Sequence, residues 1–332
     1  MGVASFFNRL LQRNAVSEGQ EGSFSRTLVI EPSSLSLSQS HDLYLNYLFE
    51  VDTGSRISVP QKLVLEIVLN SLKKKENRMN AVPRLPTVIP KLIRSLRDPD
   101  SAIRDYVNIV KKDPAMSAAV LKLANSAYFN PSNQHMGDID RAVMLLGVAG
   151  LRSVLSAAVM QPIIQRDSPY FSLTGKRMWQ HSLHCAIACE VTAPKRGLEP
   201  FSMYLMGLVH DVGKITLFSE LCKQFKLNGN QEQPGFHAFS PLMRTFAPQL
   251  GFLIARDWGL PDEVCDALKE QIELQPGQTI SPEGVLLYQA NTACEAYVTL
   301  HKTSRAQAMG ILKDFRLPDD LYQTLDTVEE DL

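Results

Sequence analysis

The chain has 332 residues, of which 45% are hydrophobic and 21% charged, with a formal net charge of −1. That is ample apolar material for one large or two modest domains with a sizeable core. The balanced charge excludes a global field that recruits nucleic acid, and no aromatic-basic stripe suggests a local one. The five cysteines, Cys185, Cys189, Cys222, Cys265 and Cys294, form no Cys-x-x-Cys pair, and their odd number excludes a complete disulfide framework. They read as small buried hydrophobes. Cys185 and Cys189 share a helical face, but two thiols alone do not make a zinc site. No apolar run reaches the roughly 18 residues that span a bilayer. Asn8 and Arg9 interrupt a signal-peptide core, and Phe6 stands where myristoylation needs Ser or Thr. The expected location is the cytoplasm.

Residues 1–13 place Val3, Phe6, Phe7, Leu10 and Leu11 on one stripe of a terminal helix. It either docks on the body or touches a membrane surface or partner. Residues 14–41 are rich in Ser, Glu and Gly and read as a linker, with a short strand over Thr27–Ile30. A short amphipathic helix over Asp42–Glu50 is followed by a stronger one opened by Val59-Pro60. That helix is closed by Lys73-Lys74-Lys75, which suits its C-terminal dipole. From Leu85 the pattern tightens. Helices carry Val88 to Leu96 and Ile103 to Val110, and Asp113-Pro114 opens a third over Met116 to Ala124. Asp138 precedes a helix that Gly147 breaks. Further helices cover 150–165, 175–190, 201–210, 212–222, 239–257, 262–273, 282–302 and 304–314. Strand-like alternation is nearly absent, so the fold class is all-α, an irregular multi-helix bundle.

The stretch Tyr204 to Val209 runs straight into His210-Asp211, followed by Gly213 and Lys214. Gly213 reads as the left-handed residue that closes a helix. A buried His and Asp need a partner. A divalent ion is one, since imidazole suits Zn, Fe and Ni while a carboxylate suits Mn and Mg. Lys214 either holds a phosphate as a point charge or caps helix carbonyls.

Several separated motifs resemble the HDOD domain, an HD-related output domain of bacterial signalling proteins. They are Leu85-Pro86, Asp98-Pro99-Asp100, Asp113-Pro114-Ala115, Leu121 to Ser126, Ile139 to Arg152, Trp179-Gln180-His181-Ser182 and Gly207 to Lys214. The resemblance spans roughly 80–280 and implies an HD-like helical bundle. It divides the chain into a less regular N-terminal extension (1–80), the HDOD-like domain (81–303) and a helical tail (304–332). Active HD phosphohydrolases hold a metal with a His, a His-Asp pair and a later Asp, and the metal activates water against a phosphoester. By resemblance these positions are His181, His210, Asp211 and Asn291, the last a neutral amide and a weaker ligand. The second-metal positions of two-metal relatives fall in Phe246–Gly251 and Leu268–Ile272, which contain no His; His237 lies about ten residues early. His184, three residues after His181, belongs either to the same groove or to a partly exposed helix face.

The expected function is therefore a non-catalytic regulatory protein that binds a signalling partner or a small ligand. No cofactor is required, and a divalent metal (Mn, Fe, Mg or Zn) would bind weakly at the degenerate site. The alternative is a metal-dependent phosphohydrolase acting on a nucleotide or cyclic dinucleotide.

Overall fold

The computed structural model describes residues 27–33, 35–49, 58–81, 89, 107, 108, 110–112, 114–164, 173–227 and 236–330. Among these the fold is all-α apart from one antiparallel ribbon. In it β1 (Thr27–Leu28) pairs with β2 (Thr279–Ile280), Thr27 opposite Ile280 and Leu28 opposite Thr279. The short strand expected at 27–30 is thus present; its partner carried too brief a pattern to be read. The terminal helix over 1–13, the linker to residue 26 and most of the two helices over 85–110 lie outside the described residues.

Helix α1 (Leu37–Phe49) is followed by α2 (Val59–Lys73). A reciprocal capping box opens α2: the Ser58 hydroxyl accepts the Gln61 amide, and Gln61 accepts the Ser58 amide. Lys74 is extended, so the lysine triplet ends α2 and starts α3 (Lys75–Ala81). Helix α4 (Pro114–Ala124) ends where Asn125 and Ser126 return side-chain hydrogen bonds to the Leu121 and Leu123 carbonyls. Helix α5 (Ile139–Ile164) starts from Asp138, whose carboxylate accepts the Arg141 amide. Gly147, at φ 65°, kinks it as expected. By length and composition α5 is apolar enough to cross a membrane, against the expectation that no such run exists. Charged Asp140, Arg141 and Arg152 hid this in the sequence. Its second half packs Val154, Leu155, Ala157 and Met160 into the core.

Then come α6 (Thr174–Thr192), a 3-10 turn over Ala193–Arg196, α7 (Pro200–Val209) and α8 (Val212–Leu227). The single window expected over 239–257 is two helices, α9 (Phe236–Thr245) and α10 (Ala247–Asp257), divided at Phe246. Helices α11 (Asp262–Glu270), α12 (Pro282–Leu300), α13 (Arg305–Asp314) and α14 (Leu321–Glu330) complete the chain. Helix α14 lies within the helical tail expected over 304–332, without bounds of its own there; Leu321, Tyr322, Leu325 and Val328 give it a buried helical stripe.

Helices α6, α7 and α12 form the centre, and α8 lies against α10. Helix α6 approaches α7 closely enough that a Cβ on Gly207 would sit 2.5 Å from the Cys185 carbonyl oxygen. Gly213 corrects the sequence reading. It is not a left-handed helix terminator but lies in the first turn of α8. Glycine is needed because a Cβ there would overlap the Ala247 carbonyl and the Gly251 amide of α10.

Residues before 80 reach the core directly. Helix α1 buries Tyr44, Leu45, Leu48 and Phe49, and α2 packs on α8. The last carbonyls of α1, which lack intrahelical donors, are taken up by α6. Thr174 Oγ1 donates to Leu48 O at 3.0 Å and Arg177 to Tyr47 O at 2.6 Å. Arg244 of α9 pairs with Asp42 of α1.

Two outcomes follow from this packing. Gly213→Ala should destabilise by about 2 kcal/mol or more, as overpacking against backbone does. Gly310→Ala, in open space inside α13, should stabilise by about 0.5–1 kcal/mol. Urea melts of both variants check the contrast. Deletion of residues 1–80 should abolish the cooperative thermal transition, because it strips Tyr44, Leu45, Leu48 and Phe49 from the centre. Circular dichroism melting of the shortened chain checks this.

Candidate functional site

Three elements converge on one spot. His181 projects from the middle of α6. His210 and Asp211 form the two-residue turn between α7 and α8. Asn291 comes from α12. The apolar run Tyr204–Val209 buries α7 completely and delivers the turn to the interior. His181 Nε2 lies 2.9 Å from Asn291 Oδ1, and His210 Nε2 lies 3.0 Å from the same oxygen. The two imidazole Nε2 atoms are 3.3 Å apart. Asp211 Oδ1 is 3.3 Å from His210 Nε2, and Oδ2 is 3.8 Å from His181 Nε2. All four ligand positions implied by the resemblance thus meet.

Their donors and acceptors do not balance. His210 Nδ1 lies 2.7 Å from the Gly207 carbonyl, which can only accept, so Nδ1 carries hydrogen. The neutral ring then aims the Nε2 lone pair at the Asn291 oxygen and the Asp211 carboxylate, both acceptors. Asp211 Oδ2 is buried without a hydrogen-bond partner. An acceptor set closing on one point is what a cation satisfies, whether a proton on His210 or a metal ion. The residues therefore fit a metal. His181, Cys185 and His210 alone offer three ligand atoms within 4.8 Å of one another and could hold one.

Around this point lies a buried charge network. Lys214 Nζ is 2.8 Å from Asp211 Oδ1 and 3.8 Å from Glu295 Oε1. His41 of α1 holds Glu295 at 2.8 Å through Nδ1. Tyr44 of α1 covers His181, ring centroids 4.3 Å apart, and lies under the Lys214 ammonium at 5.3 Å. Burial opposes charge on Asp211, but His210 and Lys214 outweigh it and hold the carboxyl below its ordinary range. Burial likewise opposes charge on Glu295, where His41 and then Lys214 prevail and bring it down to about 2. Lys214 is raised, because Asp211 and Glu295 overcome its desolvation. Burial pulls His181 down to about 4. Lys214 thus spends its charge first on Asp211 rather than on helix carbonyls.

A groove of about 610 Å³ opens over the cluster between α1, α10, α11 and α12. Its lining includes His210, Asp211, Lys214 and Asn291, together with Ala247, Leu268 and Gln271. Among the described side chains its histidines are His41 and His210; the His237 side chain is outside them. His184 does not line the groove. It is fully buried, edge-on to Tyr297 with centroids 5.3 Å apart, and neither ring nitrogen finds a hydrogen-bond partner. It is therefore not the partly exposed residue its helix position suggested.

Four participants escaped the sequence reading. Cys185 and Glu295 sit one helical turn beyond His181 and Asn291, so i, i+4 spacing from an assigned ligand was the available signal. His41 and Tyr44 carried none, because they belong to a helix outside the family-like stretch.

The family model for the HDOD domain matches residues 82–274. A curated relative, an uncharacterized protein of Treponema pallidum (strain Nichols), is 24% identical over 241 residues, covering 70% of this chain and 46% of the relative. The chain thus spans about half the length of the curated relative it matches. Among solved structures, an HDOD domain protein of unknown function from Geobacter sulfurreducens superposes with a TM-score of 0.54 at 21% identity, covering 81% of this chain and 94% of that one. A proposed metal-dependent phosphohydrolase from Shewanella amazonensis SB2B gives 0.58 at 21% identity, covering 82% and 99%. At these identities the likeness is one of fold.

His184 generates a pH prediction. Burial lowers its imidazole from 6.5 to about 3. The unfolded ring takes up a proton below pH 6.5, while the folded ring stays neutral down to about 3. The stability it contributes is therefore whole above pH 6.5 and is lost as pH falls toward 3. His184→Leu should flatten the decline of Tm across that window. Scanning calorimetry of both proteins between pH 7 and 4 checks it, and an unchanged slope would place the proton uptake elsewhere.

Proposed function

This chain belongs to the HDOD domain family, and from that premise we propose that it is a non-catalytic signal-transduction protein. Its groove binds a regulatory small ligand or a segment of a signalling partner, and the binding event is passed through the helices that wall the groove. One observation carries this reading: the neutral Asn291 amide stands where a hydrolytic site needs a carboxylate, while the Lys214 ammonium occupies Asp211 at 2.8 Å. Phosphoester hydrolysis needs an aimed water and cations placed on the developing phosphoryl charge. Ala247, Leu268 and Gln271 line the groove where a second cation would need ligands, and none can supply an anionic or imidazole donor.

The test is a phosphate-release assay on nucleotides and cyclic dinucleotides with added Mn²⁺, Fe²⁺ or Mg²⁺. The full chain should show no turnover above the His210→Ala, Asp211→Ala double variant. Asn291→Asp should bind Mn²⁺ about tenfold more tightly by calorimetric titration, a gain of roughly 1.4 kcal/mol, and still release no phosphate. Robust turnover by the unmodified protein would overturn the reading.

A further inference from the structure

We propose that the convergence point holds a thiophilic divalent ion of the zinc class, with Cys185 as its sulfur ligand beside His181, His210 and the Asn291 amide oxygen. The inference rests on reading the groove as a binding site rather than a hydrolytic centre, and it names the ion bound at its floor.

Cys185 lies one turn along α6 from His181 and points into the same space. Its Sγ is 3.7 Å from His181 Nε2 and 3.9 Å from Asn291 Oδ1. Five of the six separations among the four donors run from 2.9 to 3.9 Å, and the Cys185 and His210 ligand atoms lie within 4.8 Å of one another. For zinc bonds of about 2.05 Å to nitrogen and 2.3 Å to sulfur, the edges of a tetrahedral site are about 3.3 Å between nitrogens and about 3.6 Å from nitrogen to sulfur. The corresponding separations are 3.3 Å and 3.7 Å. The amide oxygen lies 2.9 and 3.0 Å from the two nitrogens, a little inside such an edge. Two nitrogens, a sulfur and one oxygen suit zinc. Magnesium and calcium select six or more oxygens, and manganese also favours oxygen donors.

Charge supports the same assignment. A cysteine thiol carries its proton at neutral pH, and the thiolate is the metal ligand. On binding, the sulfur–metal bond would form as the S–H bond breaks and its proton passes to solvent; no oxidant or reductant is involved. The unpartnered Asp211 Oδ2, in a residue 3% exposed, then faces a cation.

Cobalt(II) titration of the full chain reads the ligand set directly. The expected result is an intense visible spectrum of tetrahedral cobalt with a near-ultraviolet sulfur-to-cobalt band. Zinc should displace it stoichiometrically, with release of one proton per ion. Cys189→Ser should keep the sulfur band and Cys185→Ser should lose it. If Cys185→Ser does not fold, zinc K-edge absorption of the unmodified protein decides: one sulfur at about 2.3 Å supports the assignment, and a shell of nitrogen and oxygen only overturns it. A sulfur band that survives Cys185→Ser also overturns it. Manganese binding without a cobalt–sulfur band would end this inference and leave the non-catalytic reading standing, whereas phosphate release would end that reading.

Discussion

One ammonium buried between two carboxylates sets the terms for the centre of this protein. Lys214 is 6% exposed, Asp211 3% and Glu295 2%. Removing one member of such a group leaves an uncompensated internal charge, at a typical cost of 3–5 kcal/mol. The three come from different places: the first turn of α8, the α7–α8 turn and α12. His41 adds α1 through Glu295. Charge complementarity therefore fixes the same helices that apolar packing brings together. It also means that much of the Asp211 charge is already matched from inside the protein.

Most helices could be read from the sequence because each signal was local. Val59-Pro60 at the start of α2, Asp113-Pro114 at the start of α4 and Asp138 before α5 mark their own boundaries. Gly147 interrupts α5 by taking a positive φ that its neighbours avoid. The errors arose where the cause is non-local. Gly213 looks like a helix terminator until α10 is placed against it. The single window over 239–257 divides at Phe246, which is buried between two helices that share one apolar character. The bounds of α14 inside the expected helical tail went unmarked, because it is short, follows Pro318 and has a stripe that gains meaning only from the surface that Leu321 and Leu325 cover.

The site divides in the same way. His181, His210, Asp211 and Asn291 were placed by resemblance, and the structure brings all four together. Their partners were not legible. Whether Lys214 met a phosphate, a carbonyl or a carboxylate depended on Glu295 and on the direction of the α7–α8 turn. Tyr44 and His41 lie about 140 residues before His181 in sequence; from α1, whose end Thr174 and Arg177 fasten, Tyr44 reaches His181 and His41 reaches Glu295. His184, three residues from His181, turns away toward Tyr297, since side chains at that spacing share a helix face without sharing a partner.

The glycine contact between α8 and α10 has a mechanical side. A Cβ on Gly251 would lie 3.5 Å from the His210 carbonyl and 3.6 Å from the Gly213 amide. At this point the two helices therefore touch through main chain rather than through side chains. Such a joint has little compliance: a shift of α10 has no rotamers in which to dissipate. Ala247 and Pro248, at the start of α10, form part of the groove wall. Whatever presses on that wall pushes on the turn that carries His210 and Asp211, as a lever pushes on its fulcrum.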